Sequence, residues 1–415
     1  MSESGSWKKK LALFLSSQTV SMFGSSLVQY AIVWSITLDT RSGVMMTLAV
    51  VFGFVPMFVV SPFAGVWADR HDRKKLIMVS DGLIAAATLA AALLVMAGFR
   101  SVWLLLGTSA VRAFGQAVQG PAVGAILPQF VPEDRLMRAN AVNGTIQSAV
   151  MLVSPMIAGA LLALAPLEAI FFIDVVTAAV AIGILIFLRV PPHAKALESV
   201  RTSYFRDMAL GLRYIREHRY LVTFFVYLGL LLVMVSPSAF LTPLQTTRSF
   251  GAEVWRLTAI EIAFSVGMIA GGALASIWGG FRNRMRTLVL SNLVMASCAL
   301  GLALVPSFPV YVAVMAVFGV AMPFWNAPSS TMIQEHVEPE YLGRVFSVMG
   351  MLSTSLMPLG MLVFGPLADL VSVESLLLVS GAFMLVHGLA ALANRRLMEA
   401  GNPVAATAAA SVTAE

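Results

Sequence analysis

The sequence predicts an all-α membrane protein with twelve transmembrane helices. Three observations point there. Of the 415 residues, 59% are hydrophobic and only 12% charged, whereas a soluble domain carries about 25% charged residues. The mean hydropathy is +0.86, so the apolar surface exceeds what one aqueous fold can hide and the bilayer must be its solvent. The apolar residues also fall in runs near the ~20 residues that a spanning helix needs.

Spans are expected at about 11–38, 43–68, 75–98, 102–130, 137–164, 168–190, 219–246, 254–279, 286–306, 309–334, 341–368 and 374–394. The intervening loops divide the 27 Lys and Arg residues unevenly. Arg41, Arg100, Arg248 and Arg256 fall on one side, and Arg112 lies inside a span. All the others share the side of both termini. By the positive-inside rule that side is cytoplasmic, so both termini of this multi-pass protein are expected in the cytoplasm. The net charge of +6 is thus a signal of topology, with some attraction to anionic lipid, and not of nucleic-acid binding.

The long loop at 191–218 opens with Pro191-Pro192 and sets Tyr204, Met208, Leu212 and Ile215 between Arg206, Arg213 and Arg216. This pattern suits an amphipathic helix at the membrane surface. It separates an N-terminal six-helix bundle, 1–190, from a C-terminal one, 219–397. The Ala/Thr/Ser-rich stretch 398–415 reads as a disordered cytoplasmic tail.

The two halves resemble each other. Pro121, Pro132 and Glu133 recur as Pro328, Pro339 and Glu340. Leu136, Arg138, Val142, Gly144, Met151, Gly159 and Leu161 recur as Leu342, Arg344, Val348, Gly350, Met357, Gly365 and Leu367. Pro and Gly fix helix ends and close helix contacts, which duplicated units would share. Six-span halves repeated in parallel, with a site between them at mid-membrane, are the plan of a transporter that works by alternating access.

After span 2 comes Gly65-x-x-x-Asp69-Arg70-x-x-Arg73-Lys74. This run resembles the cytoplasmic loop signature of the major facilitator superfamily, with Asp72 where the general pattern has Gly. Further on, Arg112-Ala-Phe-Gly115, Gln119-Gly-Pro121-Ala122, Pro128, Val131-Pro132, Leu136 and Ala139-Asn140 are similar to the drug:proton antiporter-3 branch. That branch includes macrolide efflux proteins and some siderophore exporters. The resemblance covers essentially the whole chain and implies the major facilitator fold, two pseudo-symmetric six-helix bundles.

Gly65 is expected where the chain turns tightly against a neighbouring helix. Asp69 can accept from Arg73 and from a helix N-terminus. The resemblance implies that this helix is span 11, near Gly343 and Arg344, and that Gly65, Asp69, Arg70, Arg73 and Lys74 form a gating loop. The alternative is a basic cluster that sets topology alone.

Arg112 within a span costs about 2.5–3.5 kcal/mol on insertion scales, so it should face protein or water. Ser109, Arg112, Gln116 and Gln119 share one helical face. The resemblance associates Arg112 with proton coupling; a structural Arg bonded only to carbonyls is the other reading. Asp174 and Glu261 interrupt apolar sequence and are the candidate coupling acids, since burial favours a carboxyl that holds a proton. Either could instead be a fixed partner for an Arg. His387 reads as a packing residue.

Pro155 and Gly159, in Ser154-Pro-Met-Ile-Ala-Gly159, resemble the family's antiporter motif with Ser for its usual Gly, and suit close helix packing. An ordinary proline kink is the alternative. Polar and aromatic residues expected to line a substrate cavity are Gln29, Tyr30, Gln116, Gln119, Asn140, Asn143, Gln147, Trp325 and Asn326. Flexible Met and aromatic surfaces tolerate varied shapes, although most of the 24 Met residues suit lipid-facing positions.

The sequence holds no Walker loop, no metal-ligand spacing and no nucleophile triad, so no cofactor, metal or catalysis is expected. The lone Cys298 reads as a packing residue. Together with these features, the resemblance implies a monomeric, proton-coupled exporter of amphipathic organic compounds such as macrolides in the inner membrane of a bacterium, with protons and lipid as its other partners. A dedicated siderophore or lipid exporter is the alternative. An importer, a non-transporting sensor on the same fold and a membrane enzyme are further rivals.

Overall fold

The computed structural model describes residues 6–188, 190 and 204–402, the side chains of Ser6, Asp69 and 204–207 excepted. Fifteen α-helices order these residues: α1 Ser6–Thr40, α2 Gly43–Arg70, α3 Arg73–Met96, α4 Val102–Ile126, α5 Glu133–Leu164, α6 Leu167–Phe187, α7 Tyr204–Glu217, α8 Arg219–Phe240, α9 Thr242–Ser249, α10 Val254–Trp278, α11 Arg284–Leu304, α12 Phe308–His336, α13 Pro339–Leu370, α14 Val373–Ala393 and α15 Arg395–Ala400. Helices satisfy their own backbone, which lipid cannot do for them.

Eleven stretches, with α8 and α9 counted as one, are long and apolar enough to cross a membrane. The twelfth is α4, whose Arg112, Gln116 and Gln119 lower its apolarity. Most helix ends fall within a few residues of those expected. Asp72 caps α3, its carboxylate accepting from the Lys74 and Lys75 amides; Ser101 caps α4, Asn283 α11 and Ser372 α14 in the same manner. Span 7 is not one continuous helix. It breaks at Leu241, whose amide still donates to the Pro237 carbonyl, and Pro243, which has no backbone donor, starts α9. The repeat is visible in length: α5 and α13 each run 32 residues from an acidic first turn.

Contacts divide the described residues into two compact units. The first holds residues to Thr40, Leu48 to Val190, and Glu253–Thr258; the second holds Arg41–Thr47, Tyr204–Ala252 and Ala259 onward. Two expectations are corrected in the second unit. The apolar stripe of α7 does not lie free for lipid. Tyr214 and Ile215 are buried, Tyr214 stacks on Tyr341 with centroids 4.4 Å apart, and Gly211 lets α7 approach the Arg344 carbonyl closely. Leu212 stays exposed. The tail expected from residue 398 is built further on. Asn283 Nδ2 donates to the Met398 carbonyl and the Arg284 amide to that of Gly401, both at 2.7 Å, and Leu397 is buried. Residues 403–415 lie outside the described residues.

Candidate functional site

The first unit closes on a buried ion pair. Arg112, 0% exposed, points from α4 toward α1, α3 and α6. Its Nη1 donates to Asp174 Oδ2 and to Thr88 Oγ1, each at 2.5 Å, and its Nη2 to the Ser25 carbonyl at 2.8 Å. Asp174, on α6, also accepts from Ser25 Oγ at 3.2 Å and lies 3.0 Å from Thr88 Oγ1. Four helices therefore meet at one guanidinium. Desolvating two charges is costly unless the pair is close and its remaining lone pairs are bonded; here both conditions hold, apart from Arg112 Nε.

Small residues make room for the pair. A Cβ on Gly24 would collide with Thr177 and reach within 3.1 Å of Asp174 Oδ1, and one on Gly115 would press on Ile84 at 2.6 Å. Gly115 belongs to the quoted motif; Gly24 carried no such signal. Two helical turns along α4, Gln119 Nε2 donates to Asp81 Oδ1 at 2.7 Å, and Ser21 Oγ does so at the same distance. Gln119 was expected to face the substrate. Its amide is instead committed to a carboxylate on α3. Gln116 is half-buried.

The basic loop residues cap helix C-termini. Arg73 donates to the carbonyls of Ala68 (3.0 Å) and Ala125 (2.6 Å), and Lys74 Nζ to those of Ile186 and Leu188 at 3.1 and 3.0 Å. Cations there meet the negative end of the helix dipole. Gly65 is a correction. It lies inside α2, and a Cβ there would meet nothing within 4 Å, so the tight turn comes later, at His71 and Asp72. Arg70 is exposed. The Asp69 side chain lies outside the described residues.

In the packing motif, a Cβ on Gly159 would collide with Thr258, and Pro155 beside it is buried. Of the expected cavity residues in this unit, Gln29 and Tyr30 are half-buried, Tyr30 lying edge-on to Trp34 at 5.7 Å. Asn140 and Gln147 are exposed and Asn143 half-buried. None lines a crevice of about 1000 Å³ between α1 and α5. Trp7, Lys8, Asp134, Arg135, Arg138 and Ile146 are among the residues lining it. In the sequence Lys8, Arg135 and Arg138 count toward topology, and Arg138 also toward the repeat.

In the second unit, Glu261 on α10 is half-buried and has no hydrogen bond or ion pair to another described residue. Trp325 corrects another expectation: it is 6% exposed within the hydrophobic core, packed on the face of α12 that carries Phe318, Ala321, Ser329 and Met332. Its neighbour Asn326 is exposed. His387 stacks on Tyr227, with centroids 4.5 Å apart. Sequence reasoning missed a bonded cluster here. Asp369 accepts from Ser42 Oγ and the Gly43 amide at 2.7 Å, from the Val44 amide at 3.0 Å and from Arg248 Nη2 at 2.7 Å. A carboxylate from α13 thus caps the N-terminus of α2. Among the described residues no group of three or more His, Cys, Asp or Glu could hold a metal ion.

An internal repeat and a charge pair buried among membrane helices are features of transporters. The Major Facilitator Superfamily model matches residues 14–361, and the chain belongs to that family. It is 30% identical to macrolide efflux protein A of Streptococcus pyogenes over 93% of this chain and 96% of that one. A macrolide efflux protein A of Enterococcus faecalis is 31% identical over 74% of this chain and 96% of its own length. The enterobactin exporter EntS of Shigella boydii is 26% identical over 80% and 79%. Among solved structures, the nucleoside transporter NupG superposes with a TM-score of 0.70 over 93% of this chain and 99% of that one, at 16% identity, a likeness of fold. The chain is a multi-pass membrane transporter related to macrolide efflux proteins.

Proposed function

We propose that this protein is a proton-coupled exporter of amphipathic organic compounds of the macrolide type. It acts as a monomer in a bacterial inner membrane with both termini cytoplasmic. The observation that carries the coupling is the Arg112–Asp174 pair, 0% and 1% exposed. Protonating Asp174 would leave Arg112 without its counter-charge, so a proton arriving there rearranges the contact on which α1, α3, α4 and α6 converge. Substrate and proton must favour different facing states for transport to be coupled. The similarity to macrolide efflux proteins supports export as the direction. Beside the charges of the α1–α5 crevice lies the apolar wall an amphipathic molecule needs, and the uneven loop charge supports the orientation. Asp69, Arg70, Arg73 and Lys74 act as the gating loop, and Glu261 as a second coupling acid.

Labelled macrolide uptake into inverted vesicles tests the reading. An acidic interior should drive accumulation, and collapsing the gradient should abolish it. Accumulation indifferent to the gradient refutes the coupling. The similarity to the enterobactin exporter favours a siderophore as second substrate class, and uptake of a labelled catecholate siderophore in place of macrolide would establish it.

A further inference from the structure

We propose that Asp81 is a second proton-binding carboxyl of the first unit, distinct from the Arg112–Asp174 pair and on its cytoplasmic side. The inference rests on the proton coupling proposed above and deepens it.

Asp81 is 1% exposed. Its Oδ1 accepts from two neutral donors, Ser21 Oγ and Gln119 Nε2, while its Oδ2 is buried with no hydrogen-bond partner among the described residues. The charged groups on the helices packed around it are already engaged. From α4 comes Arg112 and from α6 Asp174, bonded to each other. From α1 come only neutral side chains at this level, Ser21 and Gln18, the latter buried with its own Nε2 unpartnered. A carboxylate in this setting would be a buried charge with no counter-charge and one bare oxygen, the arrangement that proteins resolve by neutralising the group. A proton on Oδ2 does so and leaves both donors to Oδ1 in place.

Position gives the proton a role. On α3, Asp81 precedes Thr88 by two turns; on the antiparallel α4, Gln119 follows Arg112 by two turns. The two sites therefore stand roughly 10 Å apart along the bundle axis. Asp81 lies nearer the α2–α3 loop, the end that loop charge makes cytoplasmic. A proton released from Asp174 as Arg112 re-engages it has Asp81 as an acceptor on its way inward. Asp81 then discharges once water reaches Oδ2, returning to the carboxylate form.

Infrared difference spectroscopy on the full-length protein in lipid at neutral pH decides the matter. The wild-type minus Asp81→Asn spectrum should contain the carbonyl stretch of a protonated carboxylic acid, shifted in D2O. A difference containing only ionised-carboxylate bands overturns the proposal. Where Asp81→Asn is not recovered folded, Asp81→Glu gives the same discrimination, because it displaces the band instead of deleting it. Vesicle uptake separates this result from the coupling itself: gradient-independent transport by the wild type sinks the coupling wherever the Asp81 band lies, while gradient-driven transport with an ionised Asp81 sinks only the second site.

Discussion

Replacing Arg112 and Asp174 singly and together measures how far the first unit depends on their pairing. Arg112→Leu strands a carboxylate that is 1% exposed, with only the Ser25 and Thr88 hydroxyls beside it. Removing one member of a buried pair costs about 3–5 kcal/mol. Asp174→Leu strands the guanidinium and should cost a similar amount. Independent effects would sum to roughly 6–10 kcal/mol in the double variant. The structure predicts otherwise. With both charges gone, Thr88 still donates to the Ile84 carbonyl at 2.9 Å, and two leucines refill the volume. The double variant should therefore lose only about 0–2 kcal/mol, because apolar replacement of a whole buried pair is near neutral. Steric trapping of the unfolded chain in bicelles measures each value. A double variant whose loss equals the sum of the singles to within about 0.5 kcal/mol refutes the pair as a coupled unit. All three variants should lose gradient-driven uptake in inverted vesicles, the double one while remaining folded.

Three further outcomes follow from local geometry. Asp72→Ala removes the α3 cap and should cost about 1 kcal/mol, whereas Asp72→Gly, the residue of the family pattern, should cost only a few tenths; thermal unfolding of the purified protein ranks them. Gly24→Ala drives a methyl into Thr177 and should cost about 1–3 kcal/mol by overpacking, partly recovered when Thr177→Ala clears the hydroxyl, again read from melting. Trp325→Ala should destabilise the second unit by about 3–5 kcal/mol through the cavity it leaves, while Asn326→Ala should be stable. Equal melting temperatures for these last two would return Trp325 to the surface.

Why some of this was legible in sequence and some not is a matter of solvent. The bilayer demands long apolar runs and sorts basic loops, so span number and most helix ends follow from composition alone. Arg112 and Asp174 stood out for the same reason, as charges in apolar surroundings. A fixed Arg partner for Asp174 was one of the readings left open, but which Arg was not legible, because 62 residues separate the two and only packing brings α4 and α6 to one point. Trp325 misled because lipid, core and cavity all accept an aromatic side chain, so nothing in the pattern of α12 distinguishes its faces. Gln119 misled in the other direction: a polar stripe can serve a cavity or a neighbouring carboxylate, and its partner Asp81 sits on another helix. The capping roles of Arg73 and Lys74 were hidden behind their topological charge.

The separation of Arg112 from Asp174 along the chain also has a consequence for how the protein is made. At a synthesis rate of about 5–20 residues per second, the 62-residue interval means that the arginine leaves the ribosome roughly 3–12 s before its acid exists. During that time α4 carries an uncompensated guanidinium in its apolar stretch, at a cost of about 2.5–3.5 kcal/mol on insertion scales. The nascent chain needs shelter for one helix until a later one arrives, and a truncation ending before Asp174 should leave α4 outside the bilayer.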